Sequence, residues 1–179
     1  MRILRIADCG SLSGRSTLTY HIGCSEARHG ISEARHGCSE SGGVIHIRLF
    51  ANTAKGYFCK DWIAMPSIEV LLAENATFSS GEVQRLLFEG KSINSGGFLL
   101  AALRHEGLIR TSPGSLRSYE PLDSTAWQLE VLALMEAGVA LSEHQGAVVP
   151  VQTQGKGKKT KASTPKPTKP KTAMTPMAA

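Results

Sequence analysis

The apolar residues of this chain repeat with a period of two before Pro66 and with the helical period after it, and that change of rhythm sets the order sheet, then helices. Ser16-Thr-Leu-Thr-Tyr-His-Ile22 alternates, with Leu18, Tyr20 and Ile22 on one face and Thr17, Thr19 and His21 on the other. Val44-Ile-His-Ile-Arg-Leu-Phe50 alternates again, Ile45, Ile47 and Leu49 facing inward and His46 and Arg48 outward. The turn chemistry of Ser11-Leu-Ser-Gly-Arg15 divides residues 2–22 into two strands. Asn52-Thr-Ala-Lys-Gly56 is expected to be a hairpin turn into a further strand, Tyr57-Phe-Cys-Lys-Asp-Trp-Ile63. Residues 1–65 are therefore expected to form a small antiparallel sheet.

Between the second and third of these strands, Gly23-Cys-Ser-Glu-Ala-Arg-His29 is followed by Gly30-Ile-Ser-Glu-Ala-Arg-His36 and then by Gly37-Cys-Ser-Glu40. Removing both copies leaves Ile22-Gly37-Cys-Ser-Glu-Ser-Gly-Gly-Val44, an ordinary hairpin connection. The duplication, placed at residues 23–37, thus reads as an insert that lengthens a surface loop, since two repeats are too few for a solenoid.

After Pro66 the segments are helical. Ser67 is expected to cap a helix running to Leu72 or Asn75, with Glu69 in its first turn. Ser79-Ser-Gly-Glu82 has the form of a capping box, opening a second helix with apolar Val83, Leu86 and Leu87. A third helix is expected from about Gly96 to Glu106, ending at Gly107. Leu108–Arg110 and Ser118–Leu122 read as short strands joined by Thr111-Ser-Pro-Gly-Ser-Leu-Arg117. A last helix, capped by Asp123 or Ser124, puts Trp127, Val131 and Leu134 on one stripe. The class is α+β. A sheet of about 65 residues rarely stabilises itself, so it should pack against the helical half (66–138) as one body.

Residues 139–154 read as a linker, and 155–179 as a disordered tail: lysines among Pro165, Pro167 and Pro170 cannot bury enough apolar surface to fold. The formal charge of +5 is unevenly spread, because Lys156, Lys158, Lys159, Lys161, Lys166, Lys169 and Lys171 face no acid in the tail. Without these seven, 13 basic residues stand against 15 acidic ones, and the body carries −2. Attraction to a polyanion is thus concentrated in the tether. Thr164-Pro-Lys-Pro-Thr-Lys-Pro-Lys171 is similar in composition to linker-histone tails.

The order helix, turn, helix, Gly-Leu-Ile, Gly-containing loop, Tyr-containing strand over residues 79–122 resembles the winged helix-turn-helix superfamily. Its second helix and turn stand here as Leu100-Ala-Ala-Leu103-Arg-His-Glu-Gly107-Leu-Ile109, followed by a wing at 111–117. The resemblance implies a DNA-binding protein, regulatory or architectural, whose helix 96–106 enters a major groove. Lys91, Ser92, Asn94 and Ser95 would stand at its leading end, Arg104 and His105 at its far end, and Arg117 on the wing, with the tail lysines adding sequence-blind affinity. The helix departs from the pattern in its middle, where Phe98-Leu-Leu-Ala-Ala-Leu103 leaves Phe98, Ala101 and Ala102 outward and nothing able to read guanine. An interaction adaptor or homodimer using that apolar helix and the N-terminal sheet is the alternative.

Other classes find little support. Cys24, His29, His36 and Cys38 match no standard zinc spacing, and the histidines follow from the duplication, so no metal is expected. His21, His46 and Arg48 read as a solvated sheet face, because no exposed aromatic pair accompanies them as a single-strand platform would need. No phosphate loop, triad signature or spaced carboxylate pair appears, which argues against an enzyme, a cofactor or a small-molecule substrate. With no apolar run of about 18 residues and no signal-peptide pattern, a cytoplasmic protein away from membranes is expected, its four cysteines reduced.

Overall fold

The computed structural model describes residues 1–25 and 43–143, all within the unit Met1–Val148. The class is α+β, with two antiparallel sheets and four helices among these residues. Strands β1 (Arg2–Gly10), β2 (Thr17–Cys24), β3 (Ile45–Asn52) and β4 (Ile63–Ala64) form the first sheet in sequence order. Leu18, Tyr20, Ile22, Ile45, Ile47 and Leu49 are buried on one face, as alternation requires. Leu141 donates its N–H to the Ile3 carbonyl, which covers part of the β1 edge. Of the duplicated segment, Gly23 and Cys24 belong to β2 and pair with His46 and Ile45, while residues 26–37 lie outside the described residues.

The fourth strand is shorter than alternation predicts. Only Ile63–Ala64 pairs with β3; residues 57–62 run as a strap whose backbone groups go elsewhere. The Tyr57 carbonyl accepts from Ser92 Oγ and Asn94 Nδ2, and the Cys59 N–H donates to Ser95 Oγ at 2.8 Å. Partners 35 to 37 residues away in sequence therefore replace the ladder that a local pattern suggests.

Helix α1 (Met65–Glu74) starts before Ser67, which makes no cap. Pro66 stands in its first turn, where a missing N–H costs nothing. Strand β5 (Phe78–Ser79) leads into α2 (Ser80–Leu87) through the expected capping box: Ser79 N–H donates to Glu82 Oε2 at 2.7 Å, and Glu82 N–H to Ser79 Oγ at 3.4 Å. The bond from the Ser79 N–H, and then the one the Ser79 hydroxyl donates to the same oxygen at 2.9 Å, hold the Glu82 carboxyl below its ordinary range. Val83 is buried, but Leu86 faces outward at 48% exposure. Helix α3 (Asn94–His105) crosses α2 so closely that a Cβ on Gly96 would lie 2.6 Å from the Ser80 carbonyl. Gly107, at φ +74°, ends it.

Strands β6 (Ile109–Thr111) and β7 (Ser118–Pro121) complete the second sheet in the order β5–β7–β6. Helix α4 (Thr125–Glu136) buries Trp127, Val131 and Met135, with Leu134 at the margin; Asp123 Oδ1 accepts the Thr125 N–H at its start. One hydrophobic core runs from Leu4 to Met135, so the first sheet and the helices are packed as a single body. Among the described residues no helix is long and apolar enough to cross a membrane.

Candidate nucleic-acid interface

Helix α3 is the element on which the sequence places the contact surface, and its sequence explains where it lies. A helix apolar all round satisfies itself only by burial. Ser95, Gly96, Leu99, Leu100, Ala101, Ala102 and Leu103 are all buried, and Phe98 is half-buried with its ring edge-on to Phe58 at 5.8 Å. The expectation that Phe98, Ala101 and Ala102 face outward is therefore corrected: the strap and the inner face of the first sheet lie over that side. The apolar middle of α3 is covered by the same packing.

The residues at the leading end of α3 are occupied by the strap. Ser92 and Asn94 hold the Tyr57 carbonyl, and Ser95 is buried with its hydroxyl accepting from Cys59, so Ser95 is not available to a phosphate. Lys91 Nζ lies 3.2 Å from Asp61 Oδ2, which raises the lysine's pKa. The Asp61 carboxyl is lowered, first by a hydrogen bond with Cys59 and then by Lys91. Burial pushes the Cys59 thiol up, the opposite of what an activated nucleophile needs.

At the far end, Arg104 and His105 are exposed, and next to them a buried carboxylate gathers donors from three elements. Glu106, with a side chain 4% exposed, accepts from the Tyr20 hydroxyl on Oε1 and, on Oε2, from Arg5 at 2.8 Å and Trp127 Nε1 at 2.6 Å. Arg5 also pairs with Glu130. With the Tyr20 hydroxyl donating to Glu106, its oxygen accepts from His105 Nδ1 across their 2.7 Å contact. Burial, then the bond to Glu106, raises the Tyr20 pKa, and burial with nearby Asp8 pushes the Cys9 thiol up to about 11. A cleft of about 430 Å³ opens beside this cluster, between Arg5, His105, Trp127 and Glu130. The cluster fastens β1 and β2 to α3 and α4, and each of its charges has an opposite charge or a donor.

The loop between β6 and β7 projects. Gly114 turns it at φ +83°, the Ser112 N–H donates to the Ser118 carbonyl at 2.9 Å, and Leu116 is 90% exposed beside exposed Arg117. Arg110 pairs with Glu120 across the strands at 2.9 Å. Lys156, Lys158, Lys159, Lys161, Lys166, Lys169 and Lys171 lie outside the described residues.

On the outer face of the first sheet the expected solvated surface is instead packed. His21 is buried under Phe50, their rings stacked 4.3 Å apart, and Arg48 donates to His21 Nδ1 and pairs with Glu143. Arg48 also stands 4.7 Å from the Trp62 ring. Phe50 and Trp62 flank Arg48 on this face, and both are half-buried. Nothing local in the sequence marks the meeting of Arg5, Glu106 and Trp127, which stand 101 and 21 positions apart.

Among the described residues no group of three or more histidine, cysteine or acidic side chains is placed to hold a metal; His29, His36 and Cys38 lie outside them. No family model, curated protein or solved structure matches the chain.

Proposed function

We propose that the protein binds duplex DNA through a winged helix-turn-helix arrangement of residues 65–121, in a regulatory or architectural role in the cytoplasm, with the lysine-rich tail raising its local concentration on the duplex. The observation that carries this reading is topological. The order α1, β5, α2, α3, β6, loop, β7, with β7 between β5 and β6, is the arrangement a winged helix requires. Its wing is the projecting 112–117 loop, with Leu116 and Arg117 exposed at the tip.

The burial of α3 changes how such a module would dock. A helix whose middle is covered cannot lie in a major groove, so contact passes to the wing and to the exposed Arg104 at the helix end. A body of −2 supplies little attraction of its own; the seven tail lysines bring the duplex close and the wing orients it.

Fluorescence anisotropy of the full chain on a labelled duplex tests the reading. Arg117→Ala should weaken binding several-fold and reduce the salt slope by about one, as loss of one phosphate contact does. An unchanged affinity and slope would show that the wing takes no part.

A further inference from the structure

The cleft beside Glu106 is lined by two polar side chains that one buried carboxylate holds in place. Glu106 fixes the Arg5 guanidinium directly, at 2.8 Å, and the His105 ring through the Tyr20 hydroxyl, which donates to Glu106 and accepts from His105 Nδ1. Tyr20 is fully buried and the Glu106 side chain is 4% exposed, so both anchors are locked by packing. With its proton on Nδ1, neutral His105 keeps a lone pair on Nε2, and that nitrogen has no partner among the described residues. The second amino group of Arg5 meets Glu130, whose side chain is 63% exposed on α4. Ala7, Ala126 and Trp127 complete the lining of this space of about 430 Å³.

We infer that this cleft is a binding site for a free α-amino acid with an aliphatic side chain. The balance of charge selects the class. One cation, Arg5, faces two carboxylates, Glu106 and Glu130, so a simple anion meets net repulsion and a simple amine meets the guanidinium. A ligand carrying both signs on one carbon complements both. Its carboxylate takes the place of Glu130 on Arg5, and its ammonium donates to the released Glu130 and to His105 Nε2. The exchange costs little, because an exposed pair such as Arg5–Glu130 contributes little, while the bond to buried Glu106 keeps the guanidinium aimed. Ala7 and Ala126 are small walls, and Trp127 is 6% exposed, so the ligand's side chain meets methyl groups and a ring margin with no open face for stacking. The volume lies within the range of about 300–1,000 Å³ usual for small-molecule sites. None of the wing residues takes part, so the failure of this inference leaves the duplex reading untouched.

The test is isothermal titration of the full chain with L-leucine, with 4-methylpentanoate, which lacks the ammonium, and with 3-methylbutylamine, which lacks the carboxylate. Leucine should bind about tenfold or more tighter than either, as loss of one charge-assisted contact requires. Glu130→Gln, at an exposed position, removes the partner of the ammonium and frees Arg5 from its carboxylate. It should weaken leucine about fivefold or more and tighten 4-methylpentanoate, two changes of opposite sign that a merely structural role of Glu130 would not produce. His105→Ala should weaken leucine and leave 4-methylpentanoate unchanged, with the urea midpoint confirming that each variant is folded. The inference is overturned if leucine shows no saturable binding up to about 10 mM, if either control binds as tightly as leucine, or if Glu130→Gln moves leucine and 4-methylpentanoate in the same direction.

Discussion

The Tyr20 hydroxyl on β2 donates to the buried carboxylate of Glu106 at the end of α3, and through it the N-terminal sheet is bonded to the helical half. Tyr20→Phe removes one donor from a carboxylate whose side chain is only 4% exposed, leaving Arg5 and Trp127 to hold it. A loss of about 1–3 kcal/mol is expected, read as a lower urea midpoint with unchanged slope and a single transition. A loss below about 0.5 kcal/mol, typical of surface changes, would show that the contact does not fasten the two parts.

Gly96→Ala sets two effects against each other. Alanine favours a helix by about 1 kcal/mol over glycine, but its Cβ would sit 2.6 Å from the Ser80 carbonyl and 2.8 Å from the Gln84 nitrogen, both backbone atoms that cannot swing aside. Forcing α2 and α3 apart costs about 1–3 kcal/mol, so the variant should be net destabilised in thermal unfolding. A rise in Tm would mean the crossing is looser than described.

Cys9 gives the fold an alkaline limit. Its pKa is raised from 9.0 to about 11, so between those values the folded chain keeps a proton that the unfolded chain releases. Stability is complete below pH 9 and falls as pH rises toward 11, by up to about 1.4 kcal/mol per pH unit. Cys9→Ala should flatten the decline of the urea midpoint across that window. An equally steep decline would place its cause in another group; Tyr20, also raised, would be the first to examine.

The elements legible in the sequence were those whose signal is local. Alternation placed β2 and β3, the turn chemistry of residues 11–15 set off β1, the pair Ser79 and Glu82 placed the start of α2, and Gly107 the end of α3. The strap was read as a strand because Tyr57-Phe-Cys-Lys-Asp-Trp has strand composition, and only the distant Ser92, Asn94 and Ser95 decide where its backbone groups go. The covered face of α3 could have been anticipated, since Phe98 to Leu103 carries no polar side chain for solvent. For the candidate interface, the loop between two short strands at 109–121 was legible; the burial of Ser95 was not, because a serine reads as polar surface until its buried partner is known.

The measurement that tests the central claim most directly is the salt dependence of duplex binding by the full chain and by a chain ending at residue 154. The account predicts tight, sequence-blind binding by the full chain, with a log-log slope near −6 from seven lysines. The shortened chain should bind weakly, with a shallow slope that Arg117→Ala removes. No binding by the full chain at low salt would contradict the account.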